Sequence, residues 1–267
     1  MTAFEWNAGE YEVLASPHVG WGVGLLERAF ERWPLAGDER AMDAGCGTGR
    51  VTESLLERLP RGTVLAVDGS AAMVEAAGEK FAGDGRVRAE RRDLLDLGIE
   101  GGFDLILSTA TFHWIPDHDR LFRNLARALE PGGRLIAQCG GAGNISRVTR
   151  AIEEVASGER YRAAFAGWSD DKEYASAETT DARLERAGFQ ERETWLHDEP
   201  TPFDSTSDLA RYLKTVVLGR HLQQLPEEEH EPFAAAVARR VADYYDVGEP
   251  PVMDYVRLNI LARKSAT

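Results

Sequence analysis

The segment from Arg40 to Gly49 constrains the fold of this chain more than any other stretch. It reads Arg-Ala-Met-Asp-Ala-Gly-Cys-Gly-Thr-Gly, and apolar residues at helical spacing begin at Val51. This order predicts a short strand, a glycine-rich turn and then a helix. Glycine suits such a turn because it can adopt positive φ and lets the backbone approach a ligand closely. The N-terminus of the following helix offers free N–H groups.

The spacing of the three glycines distinguishes between two classes of cofactor. A dinucleotide-binding turn follows Gly-x-Gly-x-x-Gly/Ala, in which the third small residue lets the helix pack closely on the strand. Here Arg50 occupies that third position, and Asp43 places a carboxylate just before the turn. A carboxylate repels a pyrophosphate but attracts a cationic amino group. The pattern therefore disfavours a nicotinamide dinucleotide, although an NAD-dependent oxidoreductase of the same broad architecture stays an alternative.

The composition indicates an acidic globular protein. With 267 residues, the chain is long enough for one α/β domain and an elaboration. Its net charge of −14 argues against nucleic acid or an anionic membrane as the main partner, because both attract basic surfaces. We find no signal-peptide pattern and no apolar run of about 18 residues. The two cysteines, Cys46 and Cys139, suggest neither disulfides nor a metal site, so the chain is expected to be cytoplasmic.

Short apolar runs alternate with helical patterns from residue 40 to residue 139, which predicts a parallel sheet with helices on both faces. After the first strand, further strands are predicted at 63–67, 87–92, 103–109 and 134–139. Beyond this region, helices are predicted at 144–157, at 179–187 and twice within 204–247, and strands at 189–197 and 252–262. Right-handed crossover connections leave little freedom in the topology.

Candidate ligand-binding residues follow two of the predicted strands, at the carboxyl ends where open α/β sheets bind ligands. Asp68 ends the second strand, 19 residues after Gly49, and an acidic residue there can accept both ribose hydroxyls of a nucleoside. After the fourth strand, Phe112, His113 and Trp114 add aromatic surface and one titratable ring. These positions indicate a nucleoside site beside a second ligand.

The segment from Asp43 to Gly49 resembles motif I of the class I S-adenosylmethionine-dependent methyltransferases. The segment from Phe112 to Asp117, the Leu-Glu-Pro-Gly-Gly turn at 129–133, Tyr11 and the Trp21-Gly22 region resemble the trans-aconitate methyltransferase-like group of that class. Members of that group methylate small acids and similar metabolites. The resemblance covers about residues 5 to 140 and implies a Rossmann-like seven-stranded sheet with an antiparallel last strand.

The resemblance, together with the helical pattern near the C-terminus, implies three parts. Residues 1–36 are expected to form an N-terminal helical segment that closes the pocket. Residues 37–200 and 251–267 are expected to form the S-adenosylmethionine-binding Rossmann-like domain, and 201–250 a helical cap inserted over the pocket mouth.

The resemblance also implies the residues of the site. The glycine turn wraps the methionine part of the cofactor, Asp68 binds the ribose, and Asp93 binds the adenine amino group. The predicted cofactor-binding residues are Tyr11, Asp43, Ala44, Gly45, Cys46, Gly47, Asp68, Gly69, Met73, Asp93, Leu94, Thr109 and Phe112. The predicted acceptor-binding residues are Trp21, His113, Trp114 and Gln138. Core packing is an open alternative for Met73 and Trp21, packing on the sheet is one for Tyr11, and a structural or cofactor-lining role is one for His113.

The expected reaction moves a methyl group from a sulfonium to a nucleophile, so the protein mainly aligns the reactants and excludes water. Orientation of this kind can contribute on the order of 7 to 11 kcal/mol. A carboxylate acceptor is already ionised and needs no base, whereas a hydroxyl acceptor needs one, for which His113 is the best-placed residue. An acid would also suit an arginine fork. The arginines available for this are Arg160, Arg162, Arg211, Arg220 and Arg257.

The sequence thus predicts an S-adenosylmethionine-dependent methyltransferase acting on a small molecule, with carboxylate O-methylation as the first interpretation. The alternative acceptor is a hydroxyl, nitrogen or carbon of another metabolite, with His113 as the base. An NAD-dependent oxidoreductase and a non-catalytic cofactor-binding protein are two competing interpretations. The partners expected are a small-molecule acceptor, without nucleic acid, membrane or metal, for a monomer or homodimer.

Overall fold

Strands from both halves of the chain meet in one seven-stranded sheet. The computed structural model describes residues 16–246 and 248–266. The strands are β1 (Arg40–Ala44), β2 (Thr63–Asp68), β3 (Val87–Arg91), β4 (Phe103–Thr109), β5 (Leu129–Gly140), β6 (Phe189–Pro202) and β7 (Val252–Lys264). Their order is β3-β2-β1-β4-β5-β7-β6, with β1 to β5 parallel and the last strand antiparallel. The predicted fold class is confirmed.

Helices connect the strands at nearly the predicted positions. They are α1 (Ser16–Arg32), α2 (Arg50–Leu56), α3 (Ala71–Lys80), α4 (His118–Ala128), α5 (Ser146–Ala156), α6 (Ala177–Arg186), α7 (Thr206–Tyr212), α8 (Gly219–Leu222) and α9 (His230–Ala242). Leu213–Val217 forms a π-helical turn, and short 3-10 turns occur at Leu94–Asp96, Phe112–Trp114 and Glu227–Glu229. In the described part of the chain, no helix has the length and apolar character needed to cross a membrane.

Strand β5 begins earlier than the predicted residue 134. It starts at Leu129, which pairs with Phe103 of β4. The next paired residue of β5 is Arg134, which pairs with Leu105, so the register shifts between these two pairs. The residues between these two partners therefore form an irregularity inside the strand instead of the predicted turn before it. Proline and glycine at 131–133 had suggested a chain break, but pairing with β4 continues across them.

The alternation of side chains along the strands sends apolar residues into two cores, one on each face of the sheet. One core contains strand residues such as Met42 and Ile106 packed against Leu121, Phe122 and other residues of α4 and α6. The other core contains the alternate strand residues, such as Leu105 next to Ile106, packed against α1 and α2. Both faces of the sheet are therefore covered, as parallel strands require.

The chain divides into two compact units. The first contains the residues up to Ala142, 172–197 and the C-terminal end from Leu258. The second contains Gly143–Asp171 and Asp198–Arg257, in which α9 packs against α5 and α7. The predicted cap, 201–250, lies within this second unit, which includes α5 as well because α5 packs on α9. A capping role for this unit stays a prediction.

Replacement of Phe122 with alanine tests the core on the α4 face. Phe122 is fully buried, and its ring contacts the rings of Phe112 and His118 edge-on. Loss of a buried aromatic ring should lower the free energy of unfolding by about 3–5 kcal/mol. In urea denaturation, the exposed control Arg120→Ala on the same helix should stay within about 0.5 kcal/mol of the wild type. Equal effects of the two variants would contradict this packing.

Candidate cofactor and acceptor site

The glycine turn between β1 and α2 is fastened to the end of β2. The backbone N–H groups of Gly45 and Cys46 both donate to the Val67 carbonyl, at 2.8 and 3.0 Å. The Gly49 N–H closes the turn on the Cys46 carbonyl at 2.9 Å. Gly45, Gly47 and Gly49 all have positive φ, at 84°, 53° and 84°. The predicted strand–turn–helix is therefore present, and the turn requires the conformational freedom of glycine.

The three glycines differ in what surrounds them. A Cβ at Gly45 would lie 2.1 Å from the Thr111 hydroxyl oxygen, and one at Gly49 would lie 2.5 Å from the Phe81 ring. At Gly47 a Cβ would meet nothing within 4 Å. Packing within the protein therefore accounts for Gly45 and Gly49, whereas Gly47 presents bare backbone to open space, where a ligand can approach.

Asp43 is a buried carboxyl group directly before the glycine turn. Its side chain is only 1% exposed, and Oδ2 accepts a hydrogen bond from the Thr52 hydroxyl at 2.6 Å. Its other oxygen, Oδ1, has no hydrogen-bond partner among the described residues. Burial raises the pKa of Asp43 to about 7; the Thr52 hydrogen bond opposes the rise, and the charge of Asp68 adds to it. A buried acceptor without a partner fits a ligand that brings a positive charge.

The Asp68 carboxylate accepts hydrogen bonds from two backbone segments of the predicted cofactor site. Its Oδ2 accepts from the Gly47 N–H at 3.0 Å, and its Oδ1 accepts from the Ser70 N–H at 2.9 Å. The carboxylate thus ties the glycine turn to the start of α3, a role that sequence reasoning missed. Because each carboxylate oxygen can accept more than one hydrogen bond, the predicted bonds to ribose hydroxyls remain compatible with this geometry.

The predicted adenine-binding residues lie at the same edge of the sheet. Strands β2 and β3 run parallel, so Asp93, just after β3, follows the strand next to the one that ends in Asp68. Asp93 is exposed, and its Oδ1 accepts from the Leu95 N–H at 2.8 Å. The Leu94 side chain belongs to the core, while its carbonyl accepts from the Asn124 side chain at 2.9 Å. Asn124 is a supporting residue that no local pattern identified.

Other predicted cofactor residues lie in or next to the glycine turn, at the start of α3 and at the end of β4. Ala44, Cys46 and Met73 are buried, and Gly69 and Thr109 are half-buried. The Thr111 hydroxyl donates to the carbonyls of Gly45 at 3.2 Å and Thr109 at 3.0 Å, which joins the β4 end to the glycine turn.

Phe112 begins the 3-10 turn that follows β4. Its ring is 1% exposed and packs edge-on against Phe122, with ring centroids 5.8 Å apart. The side chain therefore belongs to the core, and contact between Phe112 and a cofactor would have to come from its main chain.

His113, the next residue, is almost buried and is held on several sides. Its Nδ1 accepts from the Gly140 N–H at 3.3 Å. Its ring lies 5.2 Å from the Trp114 ring and stacks on the Tyr174 ring at 5.8 Å. Tyr174 is not among the residues that sequence analysis predicted for the site. The structure therefore adds a third ring to the predicted aromatic edge.

Gln138 lies near the carboxyl end of β5 and is buried. Its side-chain Nε2 donates to Asn259 Oδ1 at 2.7 Å, and its carbonyl accepts from the Ala110 N–H at 2.7 Å. Sequence reasoning did not identify Asn259, because β7 is far from β5 along the chain. The pair places two amides on adjacent strands.

Two predicted residues come from the N-terminal region. Tyr11 lies outside the described residues. Trp21 is half-buried on α1, and a Cβ on its neighbour Gly22 would lie 3.0 Å from a methyl carbon of Thr109, so α1 passes close to the end of β4. Among the described residues, no group of three or more His, Cys, Asp or Glu could hold a metal ion.

The raised pKa of Asp43 predicts a pH-dependent stability for the ligand-free protein. The folded carboxyl, with a pKa of about 7, holds its proton at pH values where the unfolded carboxyl, with a pKa of about 3.9, has lost it. The free energy of unfolding should therefore fall as pH rises from about 4 to about 7, by about 4 kcal/mol in total. Urea denaturation of Asp43→Asn across this range should give a flatter profile than the wild type. The exposed control Asp93→Asn should keep the wild-type profile. If the free energy of unfolding of Asp43→Asn fell with pH as steeply as that of the wild type, Asp43 would not be the source of the pH dependence.

Comparisons with known proteins agree with this geometry. A family model described as a methyltransferase domain matches residues 42–135. Trans-aconitate 2-methyltransferase of Methylobacterium nodulans is 29% identical, over 98% of this chain and 99% of its own. The protein of the same name from Deinococcus radiodurans is 43% identical over 50% of this chain and 48% of its own. Among solved structures, phosphoethanolamine N-methyltransferase 2 of Haemonchus contortus, in complex with S-adenosylhomocysteine, has the same fold, with a TM-score of 0.59, 18% identity, and coverage of 93% of this chain and 53% of its own.

The family model covers the glycine turn and the strands around it, and the similarity to relatives extends along nearly the whole chain. The cofactor is S-adenosylmethionine, and the comparisons give no support to an NAD-dependent oxidoreductase. The family-model match and the relatives therefore support the predicted class I S-adenosylmethionine-dependent methyltransferase, similar to the trans-aconitate methyltransferase-like group.

Proposed function

We propose that the protein methylates a carboxylate of a small organic acid, with trans-aconitate as the first compound to test. The proposal is supported by a relative named trans-aconitate 2-methyltransferase that aligns over nearly the full length of both chains. A carboxylate is ionised at neutral pH and is already a nucleophile, so this reaction needs no general base. It needs an aligned acceptor and a dry site.

The hydrogen bond at His113 is the observation that carries the choice of acceptor. Because the Gly140 N–H donates to Nδ1, that nitrogen carries no proton, and in the neutral ring the proton is on Nε2. Neither ring nitrogen is then placed to accept a proton from a hydroxyl acceptor. Nε2–H is a hydrogen-bond donor and not a base. This arrangement favours a carboxylate over a hydroxyl, which would require a base.

S-adenosylmethionine supplies an electrophilic methyl group when it is bound. In the proposed site, Asp43 Oδ1 receives the ammonium of its methionine part, because that oxygen has no partner among the described residues. The open backbone at Gly47 lets the ligand approach closely. Asp68 and Asp93 are proposed to bind the ribose and the adenine. Together these groups fix the cofactor, and methyl transfer then depends on how the acceptor is aligned.

We propose a cytoplasmic enzyme, monomeric or homodimeric, whose partner is its small-molecule acceptor. A net charge of −14 makes nucleic acid a poor partner. A non-catalytic protein that binds the cofactor would show the same glycine turn, and only turnover separates it from the enzyme.

The cofactor site can be tested at Gly47. Gly47→Ala should leave the protein folded, at a strain of about 1–2 kcal/mol from the positive φ, and should weaken S-adenosylmethionine binding at least tenfold in calorimetry. Gly98→Ala is the matched control, because Gly98 also has positive φ and open surroundings. Gly45→Ala, which collides with Thr111, should destabilise the fold itself. Unchanged affinity of Gly47→Ala would place the cofactor elsewhere.

The absence of a base can be tested at His113. With trans-aconitate, the wild-type kcat should not change between about pH 6 and pH 9, because the acceptor stays ionised. His113→Gln keeps an N–H donor and should lower kcat by less than about tenfold, whereas loss of a general base costs about 10²- to 10⁴-fold. His230→Gln is the control, since His230 contacts the Leu225 carbonyl instead. A kcat that titrates in the wild type and falls at least 10²-fold in His113→Gln would instead support base catalysis of a hydroxyl acceptor.

A further inference from the structure

An irregular segment, Lys172–Ala175, lies along the 3-10 turn that carries His113 and Trp114. The ammonium of Lys172 is 4.6 Å from the centre of the Trp114 ring. The next residue, Glu173, donates its N–H to the His113 carbonyl at 3.0 Å. Tyr174 then stacks its ring on the His113 imidazole. Three successive residues thus contact two successive residues of the turn.

A side-chain network connects this segment to the other side of the same turn. Arg183, on α6, donates from Nη1 to the Glu173 carboxylate at 2.9 Å and contacts His118 Nδ1 at 3.3 Å. The other ring nitrogen of His118, Nε2, is 2.9 Å from the Phe112 carbonyl. Arg183 is therefore linked to two neighbouring carbonyls of the turn, that of Phe112 through His118 and that of His113 through Glu173.

The partners of His118 determine its tautomer. A guanidinium can only donate hydrogen bonds, so Nδ1 must be the acceptor and Nε2 must carry the proton that is donated to Phe112. His118 is 2% exposed. Burial lowers its pKa, the Phe112 hydrogen bond opposes this, the charge of Arg183 lowers the pKa further, and Glu173 and Asp119 raise it. The ring is therefore neutral near pH 7 and acts as a fixed donor.

Local backbone bonds and neighbouring elements together hold the turn. Within it, Trp114 donates to Thr111 and Ile115 donates to Phe112, both at 2.9 Å. Ala110, two residues before the turn, has a φ of +56°, which is unfavourable for a residue with a Cβ. Contacts from the neighbouring elements therefore add to the local hydrogen bonds in fixing the position of the turn.

We propose that Arg183 is a positioning residue for methyl transfer: by fixing His118 and Glu173, it holds the 112–114 turn and so orients His113 and Trp114 towards the acceptor. This inference rests on the proposed function, because it takes those two residues as acceptor-binding. Arg183 itself touches neither reactant. Its effect comes through alignment, where a displacement of about 1 Å can cost on the order of 10²-fold in rate.

The first experiment compares two arginines of α6. Arg183→Ala should lower kcat/KM for the acid acceptor at least tenfold, with most of the loss in kcat. Arg186→Ala is the matched control: Arg186 pairs with Asp119 at 2.7 Å on the exposed side of the helix and should stay within about twofold of the wild type. Urea denaturation of both variants should show folded protein under the assay conditions. If Arg183→Ala does not fold, Arg183→Lys replaces it, since a lysine lacks the fork that reaches both partners.

The second experiment measures the states of His113 and His118 in the absence of an acceptor. NMR of the imidazole nitrogens should show His118 of the wild type as the neutral Nε2–H tautomer. In Arg183→Ala, His118 should become protonated at a higher pH than in the wild type, and the His113 ring resonances should shift. Arg186→Ala should leave the His113 resonances unchanged; because Arg186 pairs with Asp119, whose charge raises the pKa of His118, it is a control for His113 only.

The kinetic and NMR measurements distinguish failure of the positioning role of Arg183 from failure of the proposed carboxylate methylation. Unchanged His113 resonances in Arg183→Ala, or unchanged kcat/KM, would overturn the positioning role, even if the other quantity changed. A wild-type protein that binds S-adenosylmethionine but methylates no carboxylic acid would instead overturn the proposed function. In that case the His113 and His118 resonances still decide whether Arg183 holds the turn.

Discussion

Two backbone hydrogen bonds from the glycine turn to the Val67 carbonyl hold the turn on the end of β2, and the rest of the site depends on them. They place Gly47 where the Asp68 carboxylate can accept its N–H, so the turn and the start of α3 form one rigid edge. The buried Asp43 carboxyl lies behind this edge, and one of its oxygens has no partner in the part of the chain that the structure describes. Because burial disfavours its charge and raises its pKa, the carboxyl would be stabilised in its ionised form by the cationic ligand that we propose.

Hydrogen bonds from the fold also fix the side chains around His113, where we propose that the acceptor binds. His113 and His118 lie five residues apart, and each has a nitrogen that accepts from a donor fixed by the fold, Gly140 N–H in one case and Arg183 in the other. In a neutral ring the remaining proton is then on the opposite nitrogen, which makes it a donor. Donors of this kind suit the proposed acceptor, which is already anionic. Alignment, not proton transfer, is then the main contribution of the protein.

Much of the fold followed from local pattern. The order of strands and helices, the glycine turn, and the positions of Asp43 and Asp68 at strand ends depend on residues close together in the sequence, where periodicity and backbone preference act directly. The early start of β5 did not follow, because pairing with β4 carries the strand through a proline and two glycines that by themselves predict a break. The second unit also extends beyond the predicted insertion, since packing of α5 on α9 joins segments far apart in the chain.

The sequence by itself determined the cofactor class and brought the proposed binding residues to one edge of the sheet, since a short motif encodes both. Only the tertiary structure decided which groups support that motif. Thr111 beside Gly45, Asn259 on Gln138 and Arg183 on His118 are contacts across 66, 121 and 65 residues. No periodicity or spacing relates such partners, because the sheet order and the helix packing bring them together only after the chain has folded. The tautomers of the two histidines, and with them the chemistry open to the site, belong to this second category.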